Sequence, residues 1–231
     1  MENRFGFIDE NLKRITFNIN EAVAKYRNPD EKVSLMAVTK TVEPEYINYA
    51  VSKGVTLLGE NRVQEYQSKK DYYDKSAEVH FIGHLQTNKV KYIIDSVKLI
   101  QSVDTIKLAL EIDRLSEKSS KITDILCEVN IGGEESKGGI DRNEAKELIY
   151  QMSELKNIRV CGLMTIPPPY ESEKFLYEMK MLYDDISAEN INNVKMNILS
   201  MGMSNDYETA IKYGSTLVRI GTGLFGNRIY K

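Results

Sequence analysis

Long hydrophobic runs are missing from this chain: no stretch approaches the roughly 18 apolar residues of a membrane span. The amino-terminal MENRFGFIDENLKR alternates charged and apolar residues and lacks the hydrophobic core of a signal peptide. The expectation is a soluble, unprocessed chain. Cysteine is nearly absent. Cys127 and Cys161 are the only two, each inside an apolar run, which reads as two buried free thiols in a reducing cytoplasm rather than a disulfide or a metal pair. Charge of one sign is absent too. With 31 lysines and arginines against 34 acidic residues, the net charge of −3 provides no broad electrostatic attraction for nucleic acid or an anionic membrane. Histidine is limited to His80 and His84. On a strand, that four-residue spacing spans two pleats and does not converge on a metal, so no metal site is expected. Linkers, repeats and low-complexity tracts are also missing, and 231 residues suit one α/β barrel domain covering residues 1–231.

What is present is alternation. Leu12, Ile15, Ile19, Val23 and Tyr26 lie three or four apart, predicting a helix over 9–27 with Asp9 as a cap and Asn28-Pro29-Asp30 as its end. VSLMAVTK, 33–40, is a continuous apolar run of the kind parallel strands need when both faces are covered. A helix over 44–53, opened by Pro44 and closed by Gly54, then leads to a strand at 55–59. Further strands are expected at 79–83, 98–104, 124–132, 160–166, 197–204 and 216–223, with helices between them. One of these, over 141–156, begins with a capping box of Asp141 and Glu144. Eight strands with intervening helices favour a closed (β/α)8 barrel carrying an additional amino-terminal helix, and an open doubly wound sheet is the alternative.

In such a barrel the chemistry sits where strands end at their carboxyl side. The polar residues there are Lys40, Glu60-Asn61-Arg62, His84, Asp104, the 130–137 segment, Thr165, Ser204 and Gly221-Thr222-Gly223. The last two strand ends suit a phosphate, since glycines let the backbone approach an anion, hydroxyls add donors and a following turn aims amides at it. Lys40 ends the most apolar strand, and an amine in such surroundings can act as a nucleophile toward a carbonyl. Arg219, between Val218 and Ile220, requires an acceptor or an anion if it is buried. The glycine-bracketed loop 132–139 reads as a solvated loop or as a lid over the barrel mouth.

AVTKT around Lys40, LGENRVQE, HFIGHLQTNK, VNIGGEESKGG, GLMTIPP and SMGMSNDYETAIKYGSTLVRIGTGLFGNR together resemble the pyridoxal phosphate homeostasis proteins, relatives of the amino-terminal barrel of alanine racemase. The resemblance runs from Val33 to Arg228. It implies a pyridoxal 5'-phosphate cofactor held as a Schiff base on Lys40. It also implies that Ser204, Gly221 and Thr222 hold the phosphate, that Arg219 faces the pyridine nitrogen, and that Asn61, His84 and Met164 lie near the cofactor. Lys137 matches a lysine of the family's mobile-loop motif. Some family members carry proline at the position of His84. Alanine racemase resembles this chain only over its barrel, and its β domain, which brings the opposing base, has no counterpart in the sequence. The expected role is storage, buffering or delivery of the cofactor by a cytoplasmic monomer to apo-enzymes that need it, without turnover. A small amino-acid racemase is the alternative, and an aldolase or isomerase using Lys40 on its substrate's carbonyl is a third reading.

Overall fold

A computed structural model describes residues 4–226. The Asn227-Arg228 end of the last family motif lies outside the described residues. The first helix, α1 (Gly6–Tyr26), buries Ile8, Ile15, Ile19 and Ala22, the stripe that a 3.6-residue period predicts. It begins three residues before the expected start. Asp9 therefore sits in the first turn, where it pairs with Lys53 (3.2 Å) and accepts from the Tyr49 hydroxyl (2.7 Å).

Eight parallel strands follow: β1 (Ser34–Val38), β2 (Leu57–Glu60), β3 (Glu78–Phe81), β4 (Leu99–Val103), β5 (Thr123–Asn130), β7 (Ile158–Met164), β8 (Val194–Ser200) and β9 (Leu217–Ile220). A two-residue strand, β6 (Ile140–Asp141), adds to β5 beyond the loop. The strands pair in the order β4-β3-β2-β1-β9-β8-β7-β5, and a β4–β5 pairing closes the ring. That closure excludes the open sheet. It also brings every strand's carboxyl end to one rim. Helices α2 (Pro44–Ser52), α3 (Val63–Lys69), α4 (Ile106–Lys118), α5 (Ala145–Ser153), α6 (Ser172–Ala188) and α7 (Tyr207–Lys212) cover the outside. No helix among the described residues is long and apolar enough to cross a membrane.

The alternation of side chains along each strand divides the apolar residues in two. Ala37, Leu58, Val79, Phe81, Ile100 and Ile125 point outward into the large core shared with the helices. The barrel's inside holds two small clusters: Met36, Val38, Ile82 and Leu217 in one, Leu99, Leu126, Cys161 and Met164 in the other. Ile198 packs against both. Both cysteines are free and buried.

Two local expectations are corrected. Asp141 belongs to β6 and spends its carboxylate on the Asn143 amide (2.8 Å), so no capping box forms; α5 starts at Ala145, with Glu144 as its cap residue making no side-chain cap bond. The last strand stops at Ile220 instead of 223. The carbonyl of Gly221 accepts from the amides of both Leu224 (3.0 Å) and Phe225 (2.9 Å), which winds Thr222–Phe225 into the single turn α8.

Candidate cofactor site at the carboxyl rim

The ends of β1, β8 and β9 enclose a cleft of about 480 Å3. Lys40, Ser204, Arg219, Gly221 and Thr222 all line it, joined by Lys137 from the 132–139 loop. Residues from four separate stretches of sequence thus converge because parallel strands in register deliver their ends to one place. A second, wider cleft of about 950 Å3 shares Val38, Lys40, Gly221 and Thr222 with the first.

Lys40 is half-buried one residue past a fully buried Thr39. The backbone on either side of it is held by β2 and α3. The Thr39 amide donates to the Gly59 carbonyl (3.1 Å), the Thr39 hydroxyl donates to Glu60 Oε1 (2.6 Å), and Lys69 Nζ donates to the Thr39 carbonyl (3.1 Å). The Thr41 amide donates to Glu65, and Thr41 itself takes a left-handed φ of 61°. Glu60 is 0% exposed and also accepts from the Tyr73 hydroxyl; burial raises its pKa, favouring the protonated acid.

At the other side of the cleft, Ser204 Oγ accepts from the Gly223 amide at 3.1 Å and lies 3.4 Å from the Thr222 hydroxyl. Gly223 leaves little room for a side chain there. A Cβ on it would meet Ser204 Oγ and Ile220 Cγ2, both at 3.1 Å. Hydroxyls and amides from the β8 and β9 ends are thereby gathered where the sequence suggests an anion.

Arg219 is 3% exposed and its guanidinium donates to Ser200 Oγ (2.7 Å) and the Thr165 carbonyl (2.8 Å). Burial pushes its pKa down to about 10, which leaves it a cation at neutral pH, and the nearby Glu128 and Asp206 carboxylates pull the other way.

Asn61, His84 and Met164 do not line either cleft. Asn61 follows β2 beside Lys40's strand, and its Oδ1 is buried with no hydrogen-bond partner among the described residues. The Gly83 backbone presses against it, for a Cβ at Gly83 would sit 2.1 Å from the Asn61 carbonyl oxygen. Met164 is fully buried in the barrel's interior, and His84 is exposed on the loop after β3. The 132–139 loop is tied down by hydrogen bonds from Asn130 Nδ2 to the Glu134 carbonyl (2.8 Å) and from the Glu134 amide back to Asn130 Oδ1 (3.2 Å), and by a Lys137–Glu134 ion pair.

Several polar residues of this region do not stand out in the sequence. Glu128 occupies an inward position of β5, and burial, reinforced by the like charge of Asp104, pushes its pKa up to about 7; Arg219 opposes the rise. Gln101 and Ser200 are each 0% exposed. The available signal was a polar residue within an otherwise apolar strand run, as in DILCEVN, where the alternation places Glu128 beside the core position Leu126 on the inner face.

The residues present suit the cofactor implied by the resemblance: an amine, a gathered set of anion donors, a buried cation, and at Asn61 an unfilled acceptor. Comparison with known proteins agrees. The alanine racemase N-terminal domain model matches residues 11–228. The barrel superposes on the alanine racemase of Corynebacterium glutamicum with a TM-score of 0.73 at 14% identity, covering 98% of this chain and 62% of that one, a likeness of fold. The class is therefore that of the alanine racemase-type barrels. The pyridoxal phosphate homeostasis protein of Aquifex aeolicus is 44% identical over 96% of this chain and 98% of its own length, and the chain belongs to that protein family. PipY of Synechococcus elongatus, solved with pyridoxal phosphate bound, aligns with a TM-score of 0.83 at 27% identity, covering 95% of this chain and all of that one.

Proposed function

We propose that this protein binds pyridoxal 5'-phosphate at the carboxyl rim of its barrel and serves in the homeostasis of that cofactor, storing, buffering or delivering it. The observation that carries the reading is the convergence of Lys40, Ser204, Arg219, Gly221 and Thr222 on one cleft. When bound, the cofactor supplies an aldehyde that condenses with amines and a ring able to withdraw electrons. In this reading Lys40 provides the amine, and the hydroxyls of Ser204 and Thr222 with neighbouring backbone amides bind the phosphate. Arg219 sets its fixed cation against the ring nitrogen. A permanent positive charge there disfavours protonation of that nitrogen, which weakens electron withdrawal and suits holding the cofactor better than using it. Asn61 offers its unfilled acceptor beside Lys40. Lys137, at the edge of the same cleft, is a second amine within the site.

The support from relatives is the shared name of those that match along nearly their whole length and the cofactor bound in the Synechococcus structure. The racemase likeness, at 14% identity, lends the alternative reading a fold and no chemistry. A monomer in the cytoplasm that passes its cofactor to apo-enzymes completes the proposal, and the two unpaired thiols accord with a reducing compartment.

The test is spectroscopic. Incubated with pyridoxal phosphate and freed of excess, the protein is expected to retain a visible absorbance band that borohydride bleaches and that Lys40→Ala lacks. A band of equal strength in Lys40→Ala, or none in the wild type, would overturn the assignment. Absence of chirality change with single amino-acid enantiomers separates this role from racemisation.

A further inference from the structure

A guanidinium can only donate hydrogen bonds, and this simple constraint reaches far beyond Arg219. Because Ser200 Oγ accepts from Arg219 Nη1 at 2.7 Å, the serine's own proton is left to point at its other neighbour, Gln101 Oε1, 2.6 Å away. With its carbonyl oxygen so engaged, Gln101 turns its amide nitrogen to His80 Nδ1 at 3.0 Å. That nitrogen must then be a bare acceptor, and the imidazole's proton falls on Nε2, which faces Glu78 Oε1 at 3.3 Å. Glu78 opens β3 at the amino-terminal rim and is exposed, whereas Arg219 lines the cleft at the opposite rim. The thread therefore crosses the barrel from end to end. Its interior members are closed to water: Gln101 and Ser200 are 0% exposed, Arg219 3% and His80 4%. Lys98 and Asp124 are the other charged groups facing His80, and burial holds its pKa low, in keeping with a neutral ring.

We propose that Ser200, Gln101 and His80 are positioning residues, a relay of one hydrogen-bond polarity that fixes the direction of the Arg219 guanidinium at the cofactor cleft. No member of the relay except Arg219 lines the cleft. What Arg219 is aimed at rests on the cofactor reading; the polarity of the relay does not. Low local dielectric makes such a chain cooperative, so a change at one member is felt by the others.

The chain has only two histidines, so nitrogen-15 NMR of the histidine-labelled apo-protein reads the relay directly, with His84→Gln assigning the signals. His80 is expected to carry its proton on Nε2 through the neutral range. Gln101→Glu, which offers acceptors to both neighbours, is expected to draw a proton onto Nδ1. Gln101→Met, close in volume and without polar atoms, is expected to leave a mixture of tautomers, and retained circular dichroism shows that either variant still folds. A wild-type His80 protonated on Nδ1, or tautomers unchanged in both variants, would overturn the relay. In protein loaded with ring-nitrogen-labelled pyridoxal phosphate, Gln101→Met and Ser200→Ala are expected to move the ring-nitrogen resonance and to weaken binding about tenfold, the equivalent of one buried hydrogen bond. An unmoved resonance in both would show that Arg219 is not positioned in this way. Failure of the wild type to take up cofactor would instead sink the functional reading, with the histidine signals still deciding the relay.

Discussion

Replacing Glu128 with glutamine should stabilise the apo-protein increasingly as pH rises from about 4.5, with the full gain reached above pH 7. The carboxyl's pKa is raised from the ordinary 4.5 to about 7, first by burial and then by the charge of Asp104. Between those two values the folded chain keeps a proton that the unfolded chain releases, so stability falls as pH rises through this window. At about 1.4 kcal/mol per tenfold change in proton affinity, the penalty reaches about 3 kcal/mol above pH 7 and disappears below about pH 4.5. Glutamine has nearly the same shape and no proton to lose. Urea unfolding of wild type and Glu128→Gln at roughly pH 5 and pH 8 isolates the effect, because groups common to both proteins cancel in the difference. The stabilisation is expected to grow by about 2–3 kcal/mol between the two conditions. An equal difference at both pH values would show that Glu128 titrates as an ordinary exposed carboxylate and would refute the reasoning.

Other perturbations test the supports of Lys40 and its neighbours. Gly83→Ala drives a methyl group to within 2.1 Å of the Asn61 carbonyl; thermal unfolding is expected to drop by at least the equivalent of about 2 kcal/mol, with cofactor affinity falling too as Asn61 is displaced. Glu60→Ala strands the Tyr73 hydroxyl and leaves the Thr39 hydroxyl only the Gly59 carbonyl (3.1 Å) as acceptor, and a loss of about 1–3 kcal/mol in chemical denaturation is expected; a cost under about 0.5 kcal/mol would show that the cluster contributes nothing. Thr41→Gly relieves the left-handed strain of a β-branched residue at φ 61°. The melting temperature is expected to hold or rise, since about 1 kcal/mol of relief offsets the added freedom of glycine when unfolded, and a fall of several degrees would contradict this.

The barrel was legible because each strand is a short apolar run and each helix a 3.6-residue stripe, and those periods survive in the linear chain. Element ends were less so. Asp141 and Glu144 have the spacing of a capping box, but β5 recruits Ile140–Asp141 into an added strand, a tertiary preference that local chemistry does not announce. The same holds past Ile220, where Gly221's doubly used carbonyl turns the chain. Within the site, Lys40, Ser204 and Thr222 could be picked out because they stand at the polar ends of apolar runs. Glu128, Gln101 and Ser200 could not, since their meaning depends on strands that are neighbours only after closure: Gln101 and Ser200 meet across 99 residues.

The interior clusters acquire a consequence from that meeting. One cluster belongs to the β9-β1-β2-β3 half of the ring and the other to β4, β5 and β7, while His80 and Gln101 straddle one seam between halves and Ser200 and Arg219 the other. The inside of this barrel is thus two oil droplets parted by a polar partition, with Ile198 touching both. Apolar substitutions in one droplet can be absorbed by local repacking without disturbing the other, so the half that carries Lys40 and the half that carries Glu128 are free to drift in sequence separately, provided the partition between them is kept.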